Sequence, residues 1–133
     1  MPLSYGNLSG APVQDYELVN GQSTINVKFA SVQIAANVTG TQASGTLIPA
    51  SASNVTVTSA GVAYSVTLPK AVVGLEIDVL SVTATNTIAV FPNTGDTINA
   101  LSANSGLTFA ALTSTTFVCT TAGAWFTSPR VPS

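Results

Sequence analysis

The sequence contains no histidine, and only 6% of its 133 residues are charged. An average soluble domain carries about 25% charged residues. Metal sites and general acid/base catalysis depend mainly on His, Cys, Asp and Glu side chains. The three basic residues are too few to form a patch that neutralises nucleic-acid phosphates. We therefore predict no nucleic-acid partner, no cofactor, no metal site and no catalytic centre.

Long apolar runs are also missing. Uninterrupted runs such as Ala-Val-Val-Gly-Leu at 71–75 are far shorter than the roughly 18 residues that span a bilayer as a helix. The first twelve residues lack the charged and apolar regions of a secretory signal. The lone cysteine, Cys119, can form no internal disulfide. These features predict synthesis in a cytoplasm and no membrane partner.

Hydroxyl groups replace charge, because about a quarter of the residues are Ser or Thr. Isolated monomers usually carry about 25–35% charged residues on their surfaces, which keeps them soluble. A surface so poor in charge is explained most simply if copies of the chain or a larger assembly cover much of it. We therefore expect an assembled protein, and the alternative is an ordinary monomer coated with Ser and Thr.

Apolar and polar residues alternate in many short segments, which is the pattern of half-buried strands. The clearest examples lie at 62–68 and 75–79, and Gly, Pro and Asn separate the segments. We predict an all-β fold, an antiparallel β-sandwich of about 8–10 short strands. Helix is limited in this prediction to single turns at 69–76 and 99–106.

The periodicity also divides the chain. Residues 1–22 lack it and predict an extended N-terminal arm, residues 23–127 form the sandwich domain, and 128–133 form an extended tail because of their prolines. Tyr5, Tyr16 and Leu18 are candidate anchors by which the arm docks onto a neighbour. A frayed terminus is the alternative.

Asp96 follows a Thr-Gly step at the end of an apolar run, an arrangement found in some metal-dependent phosphoryl-transfer enzymes. Such chemistry also needs a second carboxylate and a nucleophile. The favoured interpretation is a hairpin turn over residues 92–96, in which Asp96 accepts local backbone N–H groups before Ile98 re-enters the core.

Glu76 and Asp78 lie two residues apart and therefore share one face of a strand. We predict that this face is exposed to solvent, although a weak calcium site combining both acids with Asp96 stays open. Cys119 shares the alternating register of Phe117 and is predicted to be a small core residue. Without a histidine, neither it nor any serine has an evident base to activate it.

The second half of the chain, about residues 60–126, contains an ordered series of segments: GVAYSVTLP, AVVGLEIDVLSV, NTIAVFPNTGDTINAL and LTFAALTSTTFVCTTAGAWF. This order resembles a module of structural proteins in tailed bacteriophages. In that module a strand ending in Leu-Pro precedes a Gly-led strand and an I-x-V-x-P-x-x-G-D-x-I hairpin. An aromatic-Val-Cys strand and an Ala-Gly-x-Trp turn close it. Residues 1–59 carry no such resemblance.

The resemblance implies a virion component, similar to head decoration (capsid cement) proteins, which are compact, β-rich and often trimeric. It implies a homotrimer on the outer surface of the capsid that binds the major capsid protein and stabilises the shell without a reaction. We expect aromatic and aliphatic residues to make the subunit or capsid contacts. The candidates are Tyr5, Tyr16, Leu18, Phe91, Phe117, Trp125 and Phe126, with core burial as the alternative for the last four.

Two other functions remain open at this stage. The same module resembles parts of head-fibre and tail-fibre proteins, which implies an alternative role in binding a host-surface glycan, with Trp125 or Tyr64 as a stacking platform. The second is enzymatic, a carbohydrate-active or metal-dependent hydrolase that uses Asp96, Glu76 and Asp78.

Overall fold

A computed structural model describes residues 16–19, 22–25, 30–38 and 41–128, the first two ranges by their backbone pairing. Tyr5 and the tail beyond residue 128 lie outside the described residues. The described chain forms strands and turns: β1 (Tyr16–Val19), β2 (Gln22–Ile25), β3 (Ala30–Ala35), β4 (Thr46–Leu47), β5 (Ala52–Thr58), β6 (Tyr64–Thr67), β7 (Glu76–Ser81), β8 (Ile88–Phe91), β9 (Thr97–Ile98), β10 (Leu107–Phe109), β11 (Ser114–Thr121) and β12 (Ala124–Ser128). The all-β prediction is confirmed.

The single helical turns predicted at 69–76 and 99–106 are wrong, because the described residues contain no helix. Both segments are loops that include residues with left-handed backbone conformation. Gly74 has a φ of 98°, and Asn99 and Asn104 have φ values of 53° and 66°. A right-handed helical turn cannot continue through such residues.

The strands are arranged in three sheets. A two-stranded ribbon contains β1 and β2, which brings Tyr16 opposite Ile25. A four-stranded sheet has the order β10-β8-β6-β4, and a six-stranded sheet has the order β3-β5-β7-β11-β12-β9. The predicted boundary between arm and domain, after residue 22, falls at the start of β2.

Strands β3 to β8 wind as a coil, and this corrects the predicted antiparallel sandwich. Successive strands alternate between the two large sheets, so that β3 pairs with β5, β5 with β7, β4 with β6 and β6 with β8, all in parallel. Parallel neighbours need a long crossover connection, and here a strand of the opposite sheet supplies it. Apolar alternation predicts a half-buried strand but says nothing about the direction of its neighbour, so this feature was missed.

Each turn of the coil, here called a rung, takes slightly more than twenty residues. Val32 pairs with Val55, Asn54 with Asp78, and Tyr64 with Ile88. Repeating units of 20–45 residues that touch only their neighbours are typical of solenoid proteins. A weak sequence signal accompanies the rungs: Leu-Ile-Pro at 47–49, Thr-Leu-Pro at 67–69 and Val-Phe-Pro at 90–92 each end a strand of the four-stranded sheet.

The core lies between the two large sheets and draws on both of them. Val55, Val57 and Val79 of the six-stranded sheet and Val66 and Val90 of the four-stranded sheet are at most 1% exposed. After the third rung the chain turns back: β10 adds antiparallel to β8, and the β11–β12 pair extends the other sheet from β7. These last strands close one end of the coil.

Candidate functional site

The predicted aromatic contact residues occupy different environments. Phe117 and Trp125 are 0% exposed, and the Phe117 ring stacks on Phe109 with 5.8 Å between ring centroids. Burial therefore supports the core role for these two residues, and it removes Trp125 as a stacking platform for a sugar. Phe91 is half-buried against Gly106, where a Cβ atom would lie 2.7 Å from the ring.

Phe126 is the aromatic residue of this group that lies on the outer side of the six-stranded sheet. It is half-buried and pairs with Val118, whose side chain is also half-buried. Tyr16 and Leu18 lie in β1, where the structure describes the backbone. The contact roles of these residues stay predictions.

Asp96 is fully buried. It ends a turn whose local backbone geometry is as the sequence predicts. Gly95 has a φ of 84°, and the Asp96 backbone N–H donates to the Asn93 carbonyl at 2.9 Å. The predicted hairpin is wrong, because β8 belongs to the four-stranded sheet and β9 to the six-stranded sheet. The turn instead carries the chain from one sheet to the other, as the loops after β4 and β6 do.

The Asp96 carboxylate bonds to the preceding rung and not to its own turn. Its Oδ2 atom accepts the Ala71 backbone N–H at 2.8 Å, and Lys70 forms an ion pair with Oδ1. Lys70 Nζ also donates to the Thr94 carbonyl at 3.3 Å. Lys70 and Asp96 are 26 residues apart, close to one rung, and this spacing is the signal that sequence analysis missed.

The Asp96 corner has the chemistry of a structural clamp. A buried charge is stable only when it is paired and hydrogen-bonded, and Asp96 is both. Among the residues that the structure describes, no three Asp, Glu, Cys or His side chains are grouped so that they could hold a metal ion. The structure therefore does not bring Asp96 together with Glu76 and Asp78, the combination that the sequence left open as a weak calcium site.

The middle of the outer face of the four-stranded sheet, at β6, is covered by the chain's own loop over residues 41–45. Thr67 Oγ1 donates to the Gln42 carbonyl at 2.9 Å, and Gln42 Nε2 reaches Thr94 Oγ1 at 3.1 Å. Gly45 lies so close to the sheet that a Cβ atom there would be 2.3 Å from Thr67 Oγ1. Ser65 on this face is consequently 0% exposed.

The outer face of the six-stranded sheet, which we call the open face, has no such cover among the described residues. Across its strands the register aligns polar and small side chains, in one row Asn54, Asp78 and Thr116, and in the next Thr56, Leu80 and Ser114. Glu76, Asp78 and Leu80 are exposed, and Ile77 and Val79 between them are buried, which confirms the predicted solvent face of β7.

Two shallow clefts cross the open face and share Asn54 and Asp78 in their walls. The first cleft also includes Glu76, and the second includes Thr116, whose Oγ1 donates to Asp78 Oδ1 at 2.5 Å. Within the described residues, the side chains of this face include two carboxylates and no Lys or Arg. The face can offer acceptors and hydroxyl groups to a partner but lacks a nucleophile with an adjacent base.

Cys119 is 1% exposed, which confirms its predicted place in the core. Burial raises the pKa of its thiol above the ordinary value, and hydrogen bonds from the backbone near Ala124 and Thr121 oppose this shift. A raised pKa reduces the thiolate fraction, and the thiolate is the reactive form of cysteine. The environment of Cys119 is therefore that of a structural residue.

Comparison of the chain with family models, with curated proteins and with solved structures finds no match. Across the described residues, no helix has the length and apolar character needed to cross a membrane.

Proposed function

We propose that the protein is a structural component of a bacteriophage head, a decoration protein that binds the major capsid protein on the outer surface of the shell as a homotrimer. Its role is to bind and to carry out no reaction. The observation that carries this proposal is the open face, a broad, nearly uncharged sheet surface that the described residues leave uncovered, whereas a loop covers the middle of the equivalent face of the other sheet.

The composition of the open face suits a protein partner. Interface cores are depleted of charge, and the two carboxylates, Glu76 and Asp78, lie on one strand of six. Leu80 and Val82 on and beside the same strand are 41% and 39% exposed. A stable contact buries about 800 Å² on each partner. A face six strands wide, with neighbouring strands about 4.8 Å apart, offers an area of that order.

The resemblance in the second half of the chain supports the same role. The segment that resembles the phage module includes β7 and β11, which form much of the open face, and most of the strands that close one end of the coil. A protein that holds shell subunits together needs apolar area and sheet surface and no reactive group. The charge-poor composition fits a surface that is covered in the assembled particle.

The test is attachment to particles. Purified protein is mixed with capsids of the phage whose genome encodes the chain, and bound protein is measured by co-sedimentation and located by electron cryo-microscopy. We expect density on the outer shell surface. Protein that stays in the supernatant at micromolar concentration would overturn the proposal.

A matched pair of variants tests the open face itself. Thr56→Glu places a carboxylate on this face, and Thr108→Glu places one on the exposed outer side of β10, an edge strand of the four-stranded sheet. We expect Thr56→Glu to weaken capsid binding at least tenfold and Thr108→Glu to leave it within twofold. Equal effects of the two variants would mean that the open face is not the binding surface.

The shared walls of the two clefts favour a second candidate, a fibre module that binds a host-surface glycan. Asn54, Asp78 and Thr116 offer the amide, carboxylate and hydroxyl groups that recognise sugar hydroxyls, and Phe126 lies two residues before Ser128, which lines one cleft. A glycan array separates the candidates: sugar binding that Asp78→Asn abolishes, together with a fibre location, would replace the decoration role.

A further inference from the structure

The two ends of the coil differ in how well the core is buried. At one end β9 to β12 close the core, and Ile98 and Trp125 there are 0% exposed. At the other end β3 is the last strand of its sheet, and its inward residues Val32 and Ile34 are only half-buried. In the next rung, Val55 and Val57 occupy the same positions and are 1% and 0% exposed. Among the described residues, nothing covers the first rung as its neighbours are covered.

Among the strands that the structure describes, none pairs with the free edge of β3. The Ala36 backbone N–H donates to the Thr58 carbonyl of β5 at 2.9 Å. Because backbone groups alternate in direction along a strand, those of Ser31, Gln33 and Ala35 point to the opposite side, away from β5. Thr46 Oγ1 donates to the Ala35 carbonyl at 2.7 Å. Within residues 30–38 and 41–128, no residue bonds to the outward groups of Ser31 and Gln33.

The ribbon of β1 and β2 needs a neighbour of its own. An isolated two-stranded ribbon is marginally stable in water, and a third strand or a packing surface stabilises it. The strands of the ribbon are four residues long, which matches the free stretch of β3, and β2 ends only four residues before β3 begins. In the described structure the ribbon is nevertheless hydrogen-bonded to neither large sheet.

We propose that the free edge of β3 binds the β1–β2 ribbon of a second copy of this chain. The ribbon would extend the six-stranded sheet, cover Val32 and Ile34 and cap the open end, as solenoids require. This inference rests on the homotrimer in the proposed function and names the surface that forms it. The contact is head-to-tail, since an edge meets a different element of the next copy, and three such contacts close a ring.

The test uses the full chain and a substitution at the free edge. Gln33→Pro removes the outward N–H of β3 while leaving the N–H groups that bond to β5, a change that edge strands tolerate. Gln33→Thr keeps the N–H and serves as the matched control. In sedimentation equilibrium we expect three times 13.4 kDa for the wild type and for Gln33→Thr, and 13.4 kDa for Gln33→Pro. A trimer that persists in Gln33→Pro, or a wild type that is monomeric, would overturn the inference.

Hydrogen exchange identifies what covers the edge. We expect the amides of Ser31 and Gln33 to become at least tenfold more protected as the wild-type concentration rises across the association range, and to stay unprotected in folded Gln33→Pro. Protection that does not depend on concentration would mean that the chain's own ribbon covers β3, which overturns the role of a second copy. Capsid co-sedimentation is scored separately, so attachment as a monomer would reject this inference and keep the decoration role.

Discussion

The outer faces of the two large sheets are both rich in Ser and Thr, yet among the described residues only the four-stranded sheet has the middle of its face covered by a loop. On the four-stranded sheet, Ser65 and Thr67 are at most 5% exposed, and both side chains donate hydrogen bonds to carbonyl groups of the loop over residues 41–45. On the six-stranded sheet, Asn54 and Asp78 are exposed at the walls of two clefts. Strands of similar local sequence therefore differ in solvent exposure, and the difference comes from the loops that connect the strands.

This difference indicates where a partner binds. A polar side chain that is buried needs a hydrogen-bond partner, and the loop backbone supplies one to Thr67. The open face keeps its polar groups hydrated or bonded to one another, as Asp78 and Thr116 are. A binding partner can replace that water over a whole sheet surface, which the other sheet no longer offers.

The largest predicted loss of stability is on the inner side of the six-stranded sheet, and the same change on the open face should cost less. Phe117→Ala should lower the free energy of unfolding by about 3–5 kcal/mol, because it leaves a cavity in the core. Phe126→Ala, the same change on the open face, should cost about 1 kcal/mol. Urea denaturation of both variants measures the two losses. Equal losses would mean that the open face is packed as tightly as the core.

A smaller loss of stability is predicted for the Asp96 clamp, which joins two rungs. Asp96→Ala leaves the buried Ala71 N–H without its acceptor and Lys70 without its partner, and should cost about 2–3 kcal/mol. Asp96→Asn should cost less, because an amide oxygen can still accept from Ala71. Asp78→Asn on the open face is the control, expected within about 0.5 kcal/mol of wild type. If Asp96→Ala were as close to wild type in stability as Asp78→Asn, Asp96 would not act as a clamp.

The covering loop gives the next prediction. At Gly45 an added Cβ would lie 2.9 Å from the Val66 carbonyl carbon, a backbone atom that cannot rotate away. We expect Gly45→Ala to destabilise the protein by about 1–3 kcal/mol through overpacking, and to increase the exchange of nearby amides. Gly61→Ala is the control, because its Cβ would meet the Tyr64 ring, which can shift. A larger loss of stability in Gly61→Ala than in Gly45→Ala would contradict close packing of the loop over residues 41–45 against the sheet.

The smallest predicted effect on stability concerns Cys119, on the inner side of the six-stranded sheet. Its thiol should react slowly with a maleimide at neutral pH in the folded protein and rapidly in urea. Because burial raises the pKa of the folded thiol, its contribution to stability is complete below the unfolded pKa of about 8.5 and falls as the pH rises above it. The stability advantage of the wild type over Cys119→Ala should therefore shrink in alkaline solution. If the stability advantage of the wild type over Cys119→Ala grew with pH, burial would not raise the pKa of this thiol.

Much of the local structure could be predicted because it depends on neighbouring residues. Alternation located β7 and the sides of Glu76 and Ile77, and Pro92 and Gly95 located a turn. The pairing of β8 could not be found in this way, since strand direction depends on contacts between residues more than twenty positions apart. The Lys70–Asp96 pair was missed for the same reason.

By itself the sequence determined that the chain is all-β, that Cys119 lies in the core and that β7 has one polar side. These follow from side-chain volume, backbone preference and the two-residue period of a strand. The tertiary structure alone decided that the strands wind into a coil, that Asp96 clamps two rungs, and that a loop covers the middle of one sheet face while the described residues leave the other open. Those outcomes depend on where distant segments meet, which is set by the register of the rungs and not by any local pattern.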